Sequence, residues 1–143
     1  MAKSILVPVD GSPQSERALE HALTEFPDGE VTVIHVIDPA SAAYDSPMAA
    51  GPVGVEEWYE NAEEAAAEIF DAARGTAEEY EAAVDTATEV GQPARTITEY
   101  AAEEEFDHIV IGSHGRSGVT RILLGSVAET VVRRAPCPVT VVR

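Results

Sequence analysis

Residues 4–13 read SILVPVDGSP. The stretch 4–9 is a short apolar, β-branched run, which predicts a buried strand. Gly11-Ser12-Pro13 then supplies a turn, a natural N-cap and a proline suited to the first helical position. Ala18, Leu19, Ala22, Leu23 and Phe26 recur on one helical face before Pro27-Asp28-Gly29 ends the helix. Residues 31–37, VTVIHVI, are apolar almost throughout, as a strand covered on both faces should be. A first strand, a helix and a second fully apolar strand make a βαβ unit, and the rest of the chain extends it.

Residues 38–54 are rich in Ala, Pro, Gly and Ser without a clear period and predict a mobile loop. Residues 55–80 are Ala/Glu-rich and helical, with Gly75 weakening the last turns. Val84, Thr86, Thr88 and Val90 alternate with Asp85, Ala87 and Glu89, which predicts a strand at a sheet edge with one wet face. Gly91-Gln92-Pro93 opens a helix carrying Ile97, Tyr100 and Ala101, and the Glu103, Glu104, Glu105 run is its solvated end. Residues 106–111 form a fourth strand, residues 127–134 a last helix, and residues 139–142 a closing strand. The order βαβαβαβαβ with short connections predicts a single α/β domain over residues 1–143. Its open parallel five-stranded sheet has helices on both faces and right-handed crossovers. With strand order 3-2-1-4-5, the first and fourth strands are neighbours. Ligands of such sheets bind beyond the carboxyl ends of the strands where the order reverses. Asp10 and the loop after residue 111 would then border one crevice.

Composition narrows the function. The chain has 143 residues, 26 Asp plus Glu against 9 Lys plus Arg, and a formal net charge of −17. A domain of this size buries about 68–70% of its unfolded surface, so it needs no disulfide or metal to fold. The charge repels phosphate and anionic lipid, so nucleic acid and membrane are not expected as partners. No apolar stretch approaches the ~20 residues of a membrane span, and no basic region precedes a small-residue cleavage site. Cys137 is the one cysteine, which fits a reducing cytoplasm. Lys3 is the sole lysine, against 8 arginines. That imbalance resembles proteins of salt-loving organisms, where a Debye length of about 3 Å at 1 M salt screens repulsion among surface carboxylates.

The loop GSHGRSGVTRILLGS, residues 112–126, places Gly112, Gly115, Gly125 and Ser126 in the pattern G-x2-G-x9-G-[ST] between a strand and a helix. Gly112 and Gly115 would let the backbone turn sharply and approach a ligand closely. Gly125-Ser126 stands where a helix begins, and free N–H groups, the helix dipole and a hydroxyl there suit a phosphate. A plain loop with a helix cap has the same pattern. A chain whose one lysine is Lys3 builds no P-loop, and D-G-S-P after the first strand is no dinucleotide fingerprint. Phosphate would be held by backbone dipoles, with Mg2+ or Mn2+ and Arg116 or Arg121 offsetting the charge.

From KSILVPVDGS to APCPVTVVR the chain resembles the universal stress protein family: VPVDGS, HVID, VGQP and GSHGRSG…LLGSVAE…CPVTVV carry the resemblance. The complete glycine pattern is that of the family's ATP-binding members. The resemblance implies a Rossmann-like, adenine nucleotide alpha hydrolase-like fold and a homodimer. It implies that Pro8, Val9 and Asp10 line the adenine and ribose side, and that Val36 offers its backbone to adenine. Ile111 and Gly112 would lie under the ribose, while Gly115, Gly125, Ser126 and Val127 hold the phosphates. The function implied is a nucleotide-dependent regulatory or stress-response module. The alternatives are a slow ATP hydrolase or phosphotransfer enzyme using the same site, and a structural dimer with an empty pocket. Binding is favoured because phosphate holders are identifiable and a general base is not.

Other residues have simpler readings. His35 suits a hydrogen-bonded core histidine, His114 either an exposed loop residue or a phosphate contact, and Cys137 a small core residue. No His/Cys/Asp cluster has metal-ligand spacing. A receiver domain would want further acidic residues and a lysine that are missing here. Trp58 and Tyr59 read as packing residues, and Arg133-Arg134 complement a helix C-terminus. The apolar strand 139–142 would end at a sheet edge, where a second copy of the chain would cover it across a two-fold axis.

Overall fold

In the computed structural model, residues 2–41, 52–114 and 124–143 are described. Five strands, β1 (Ser4–Pro8), β2 (Glu30–Ile37), β3 (Val84–Val90), β4 (His108–Gly112) and β5 (Val139–Val142), form one parallel sheet in the order β3-β2-β1-β4-β5. Four α-helices join them: α1 (Pro13–Glu25), α2 (Pro52–Glu79), α3 (Pro93–Glu103) and α4 (Ser126–Arg134). The expected architecture and strand order are those observed.

Local chemistry sets the helix starts. The Ser12 hydroxyl accepts from the Ser15 N–H at 3.2 Å, and Pro13 occupies the first turn. The Gln92 side chain caps α3 by accepting from the Arg95 N–H at 2.7 Å, with Pro93 following. α2 begins at Pro52 rather than at residue 55, because proline again suits a first helical turn. It runs through Gly75 without interruption. A 3-10 turn, Pro39–Ser41, occupies part of the expected loop, whose residues 42–51 lie outside the described residues.

Both sheet faces are covered. Ile5, Val7, Val31, Val33 and Val110 pack under α1 and α2 through Ala18, Leu19, Ala22, Phe70 and Ala73. Leu6, Ile34, Ile109 and Ile111 pack under α3 and α4 through Ala94, Ile97, Ala101, Ala128 and Val131. Each large apolar side chain buried this way contributes roughly 1.5–3 kcal/mol. β3 stands at an edge, but its expected wet face is corrected. Val84 packs on the α1/α2 side and Ala87 on the α3/α4 side, while Thr88 and Val90 are exposed. The alternation holds through Val84, exposed Asp85 and Thr86 and reverses from Ala87 onward, where Thr88 and Val90 are the exposed residues. Trp58 is half-buried, whereas Tyr59 keeps 40% of its surface exposed.

Candidate functional site

The seam between β1 and β4 is where the strand order reverses, and hydrogen bonding there stops early. β1 pairs with β4 only at Ile5↔His108 and Leu6↔Ile109. On the outer flanks pairing continues to the strand ends, with Pro8↔Ile34 on one side and Gly112↔Val142 on the other. Pro8 supplies the reason. In a strand, successive N–H groups point to opposite neighbours. The Val9 N–H donates to the Ile34 carbonyl of β2 at 2.8 Å, so position 8 faces β4, where proline has no N–H to offer. The register would have aimed that missing donor at the Val110 carbonyl. The chain ends Val9-Asp10 and Ile111-Gly112 are thereby released from each other at the carboxyl edge of the sheet.

Beyond β1 the chain turns through Gly11 at φ +82°, a backbone region that favours glycine. The Asp10 carboxylate accepts from the Ser12 N–H at 2.9 Å, an Asx turn that holds the entry to α1. Ser15 lies under it, its hydroxyl donating to the Ser12 carbonyl at 3.0 Å. His35 Nδ1 donates to the Val9 carbonyl at 2.8 Å and its ring meets Phe70 edge-on. That is the expected structural histidine, and its hydrogen bond fixes the backbone of Val9. The Val36 side chain packs with the α3/α4 core.

Gly112 corrects an expectation. It is the last residue of β4 and turns nothing. A Cβ there would lie 2.9 Å from the Gln14 carbonyl carbon and oxygen, so its bareness lets β4 approach the first turn of α1. Gly125 is the N-cap of α4 and brings no side-chain cap to the helix. Its N–H donates to the Ser113 carbonyl at 2.6 Å, and a Cβ would come within 3.2 Å of that oxygen. The first-turn N–H groups of Ser126, Val127 and Ala128 have no intrahelical acceptor by geometry. Ser126 is exposed and Val127 half-buried against the core. α1 and α4 both start at this edge, which concentrates positive dipole ends there in a chain of charge −17. The structure thus brings Pro8, Val9, Asp10, Ile111, Gly112, Gly125, Ser126 and Val127 to the same edge of the sheet, with Val36 on the neighbouring strand. Gly115, Arg116 and Arg121 lie outside the described residues.

His114 is where the sequence reading was least informative. It is half-buried, its Nδ1 is 3.2 Å from the Ser113 hydroxyl, and its Nε2 is fully enclosed with no hydrogen-bond partner. A loop histidine in a glycine run carries no signal of enclosure; in the fold its Cδ2 lies 3.6 Å from where a Cβ on Gly125 would sit.

The remaining titratable groups lie elsewhere. Burial, then Lys3 and His21, hold His108 below the usual histidine range, and its Nε2 meets the Thr140 hydroxyl at 2.8 Å. Burial and then Asp107 push the Cys137 thiol up, which disfavours the nucleophilic thiolate and agrees with a packing role. Burial raises Tyr100, with Glu104, Glu89 and Asp85 adding to it. Among the described residues no three His, Cys, Asp or Glu side chains converge on a metal site, and no helix is long and apolar enough to cross a membrane.

Comparison with known proteins places this geometry. The family model "Universal stress protein family" matches residues 1–143. A universal stress protein of Methanocaldococcus jannaschii, MJ0531, is 39% identical over 146 aligned residues, covering 99% of this chain and 82% of that protein. Among solved structures, the M. jannaschii protein MJ0577 superposes with a TM-score of 0.82 at 32% identity, covering 99% of this chain and 96% of the other. UspA of Lactobacillus plantarum follows at TM-score 0.81 and 29% identity, with 99% and 97% covered. Two more distant structures, at 24% and 18% identity, were solved with cAMP and with AMP bound; at that distance the likeness is one of fold. The chain belongs to the universal stress protein family.

Proposed function

From that membership we infer that the crevice between β1 and β4 binds ATP and that the protein acts as a nucleotide-dependent regulatory or stress-response module. The single observation carrying this is the uncapped N-terminus of α4 facing the seam where Pro8 ends the β1–β4 ladder. Pro8, Val9, Asp10 and Val36 would take the nucleoside, Ile111 and Gly112 the ribose, and Gly115, Gly125, Ser126 and Val127 the phosphates. The cAMP and AMP of the distant fold relatives are those proteins' ligands; the support for this chain is its family, its complete glycine pattern and the crevice. Binding is preferred to turnover on chemical grounds. The crevice offers anion-holding amides, Asp10 is engaged by the Ser12 N–H, and His35 by the Val9 carbonyl, so no general base is identifiable there.

A divalent ion fits as the nucleotide's companion rather than as a resident metal. With no convergent ligand cluster among the described residues, Mg2+ or Mn2+ would be held by phosphate oxygens and water, near the Asp10 carboxylate. It would supply screening between the triphosphate and the acidic surface.

The test is calorimetric titration of ATP with Mg2+ into the wild type and Ser126→Asp. Wild-type binding that the variant loses, with unchanged circular dichroism, is the expected result, since a carboxylate there repels phosphate. Equal affinity in both would refute the assignment, as would absence of nucleotide binding in the wild type.

The acidic surface supports adaptation to a salt-rich medium. The ion pairs Asp71–Arg74, Arg95–Glu99 and Glu129–Arg133 are exposed helix pairs, each worth only about 0.3–0.5 kcal/mol, too little to offset a net −17. Stability rising with KCl from about 0.1 to 1 M is expected, as the Debye length contracts from about 10 to 3 Å; a flat response would oppose it. The half-buried Cys137 supports a reducing, cytoplasmic setting.

A further inference from the structure

We propose that the first turns of α2 form a docking surface for a basic amphipathic helix of a partner protein, an inference that does not depend on the nucleotide reading above. α2 is longer than the sheet it covers. Its 28 residues span about 42 Å, whereas the 8 residues of β2, the longest strand, span about 26 Å. Burial locates the excess at the N-terminal end: Ala66, Phe70, Ala73 and Ala77 are buried, and no residue from 54 to 65 is. Because α2 runs back against the strands it connects, this end projects past the carboxyl edge of the sheet. The apolar face nevertheless continues along it. At about 100° per residue, Val55, Trp58, Tyr59 and Ala62 fall on the same face as Ala66, Ile69, Phe70 and Ala73. Val55 is 58% exposed, Trp58 and Ala62 are half-buried, and with Tyr59 all four stand outside both described cores. One amphipathic face is thus covered over its second half and open over its first.

Charge identifies the occupant. Residues 54–68 hold six glutamates, Glu56, Glu57, Glu60, Glu63, Glu64 and Glu68, and no Lys or Arg stands between Arg17 and Arg74. Glu56 and Glu63 border the apolar stripe on the Tyr59 side of the helix. A second copy of this chain, itself at −17, would set like charges against them. A partner whose apolar stripe is edged by lysine or arginine pairs them instead. A helix suits the shape, because Ala62, Ala66 and Ala73 leave a shallow path along α2, and α1 already uses the same face through Ala18, Leu19 and Ala22. The partner helix would continue the α1 layer outward, as amphipathic helices do when they lay an apolar face into a groove. Where the two would meet, a cavity of about 70 Å3 opens between α1 and α2, lined by Gly11, Ser15, Glu16, Ile69, Ala72 and Thr76. Its walls suit one apolar side chain, and the exposed Glu16 suits a neighbouring cation.

Trp58 is the chain's one tryptophan and lies within the face, so its emission reports occupancy directly. The experiment titrates the full chain with tryptophan-free peptides of about 18 residues, roughly five helical turns, with calorimetry in parallel. One is an amphipathic leucine/lysine helix, the second has the same residues in scrambled order, and the third carries glutamate in place of lysine. The first should bind and shift Trp58 emission to the blue, with the other two at least about tenfold weaker. Raising KCl from about 0.1 to 1 M should weaken it roughly three- to thirtyfold without abolishing it, because screening removes the charge contribution and leaves the apolar contact. Val55→Ser with Tyr59→Ser, at exposed positions where folding is unaffected, should cost about tenfold or more in affinity. Glu56→Gln with Glu60→Gln and Glu63→Gln should remove most of the salt dependence. Equal binding of ordered and scrambled basic peptides overturns the inference, since it shows attraction to the acidic surface at large. Calorimetric binding that leaves Trp58 unchanged, or that survives the serine variant, also overturns it, as does a basic helix that fails to bind. An oligomer of the chain that dissociates on the serine substitutions overturns it by making a second copy the occupant. None of these outcomes touches the ATP reading, which stands or falls on the Ser126→Asp titration.

Discussion

Replacing Gly112 by alanine should destabilise the fold, and the same change at Gly75 should stabilise it. At Gly112 the new methyl would lie 2.9 Å from the Gln14 carbonyl carbon and oxygen and 3.0 Å from its Cβ. Ordinary contact is closer to 3.5–4.0 Å, and two of the three obstacles are backbone in the first turn of α1, so no rotamer change relieves them. Either β4 or the start of α1 must shift by about half an ångström or more, in a region where Ile111 and Ser113 are also buried. Overpacking of this kind costs typically 1–3 kcal/mol. For a domain of this size that corresponds to a fall in Tm of roughly 3–12 °C. At Gly75, exposed inside α2, nothing lies within 4 Å of the added methyl. There alanine gains helix propensity and reduces unfolded-state entropy, worth about 0.5–1 kcal/mol. The assay is thermal and urea unfolding of the wild type and both variants, with circular dichroism and fluorescence required to coincide. Gly112→Ala as stable as wild type would refute the packing account and return Gly112 to a purely ligand-facing role. Gly75→Ala of lower stability would refute the view that α2 continues unstrained past that position.

Three further perturbations test other parts of the fold. Pro8→Val restores an N–H aimed at β4. It should extend the β1–β4 ladder, seen as slowed amide exchange at residue 8, and weaken ATP binding without lowering stability; undiminished affinity would separate the seam from the site. His108 is held below its ordinary range by burial, so the native state binds fewer protons than the unfolded chain below about pH 6.5. Stability from this residue is therefore complete above that pH and declines beneath it, and His108→Gln should flatten the difference in Tm between pH 7.5 and pH 5.5 (values chosen to bracket an ordinary histidine); parallel curves would contradict it. β5 closes one edge of the sheet with all four residues only half-buried. The proposed homodimer through Val139–Val142 should appear in light scattering at micromolar concentration, and a monomer would count against it.

Much of this molecule is written in short-range pattern. The β-branched runs, the proline-led helix starts and the 3.6-residue stripe of α1 depend on backbone preference and amphipathicity, which are properties of neighbouring residues. Short right-handed crossovers limit the possible strand orders, and the order β3-β2-β1-β4-β5 is the one the structure has. The glycine pattern marked where a phosphate site would be, since both the spacing and the residue types are local. What pattern could not convey was contact across the fold. Gly112 looks like a ligand-facing turn in the sequence, yet its neighbour is Gln14, 98 positions earlier and visible only once β4 lies beside α1. β3 alternates as a half-wet strand, yet Ala87 is covered by the α3/α4 layer. Pro8 reads as an ordinary proline in a strand until the Val9–Ile34 hydrogen bond shows which neighbour its missing N–H would have faced. His114 is a polar loop residue in the sequence, and only the folded chain shows its Nε2 enclosed. Periodicity and caps are summed along the chain, so the sequence alone determined the elements, their order along it and the region proposed for the site. Burial, orphaned donors and ladder breaks are set by which surfaces meet, and those only the tertiary structure decided.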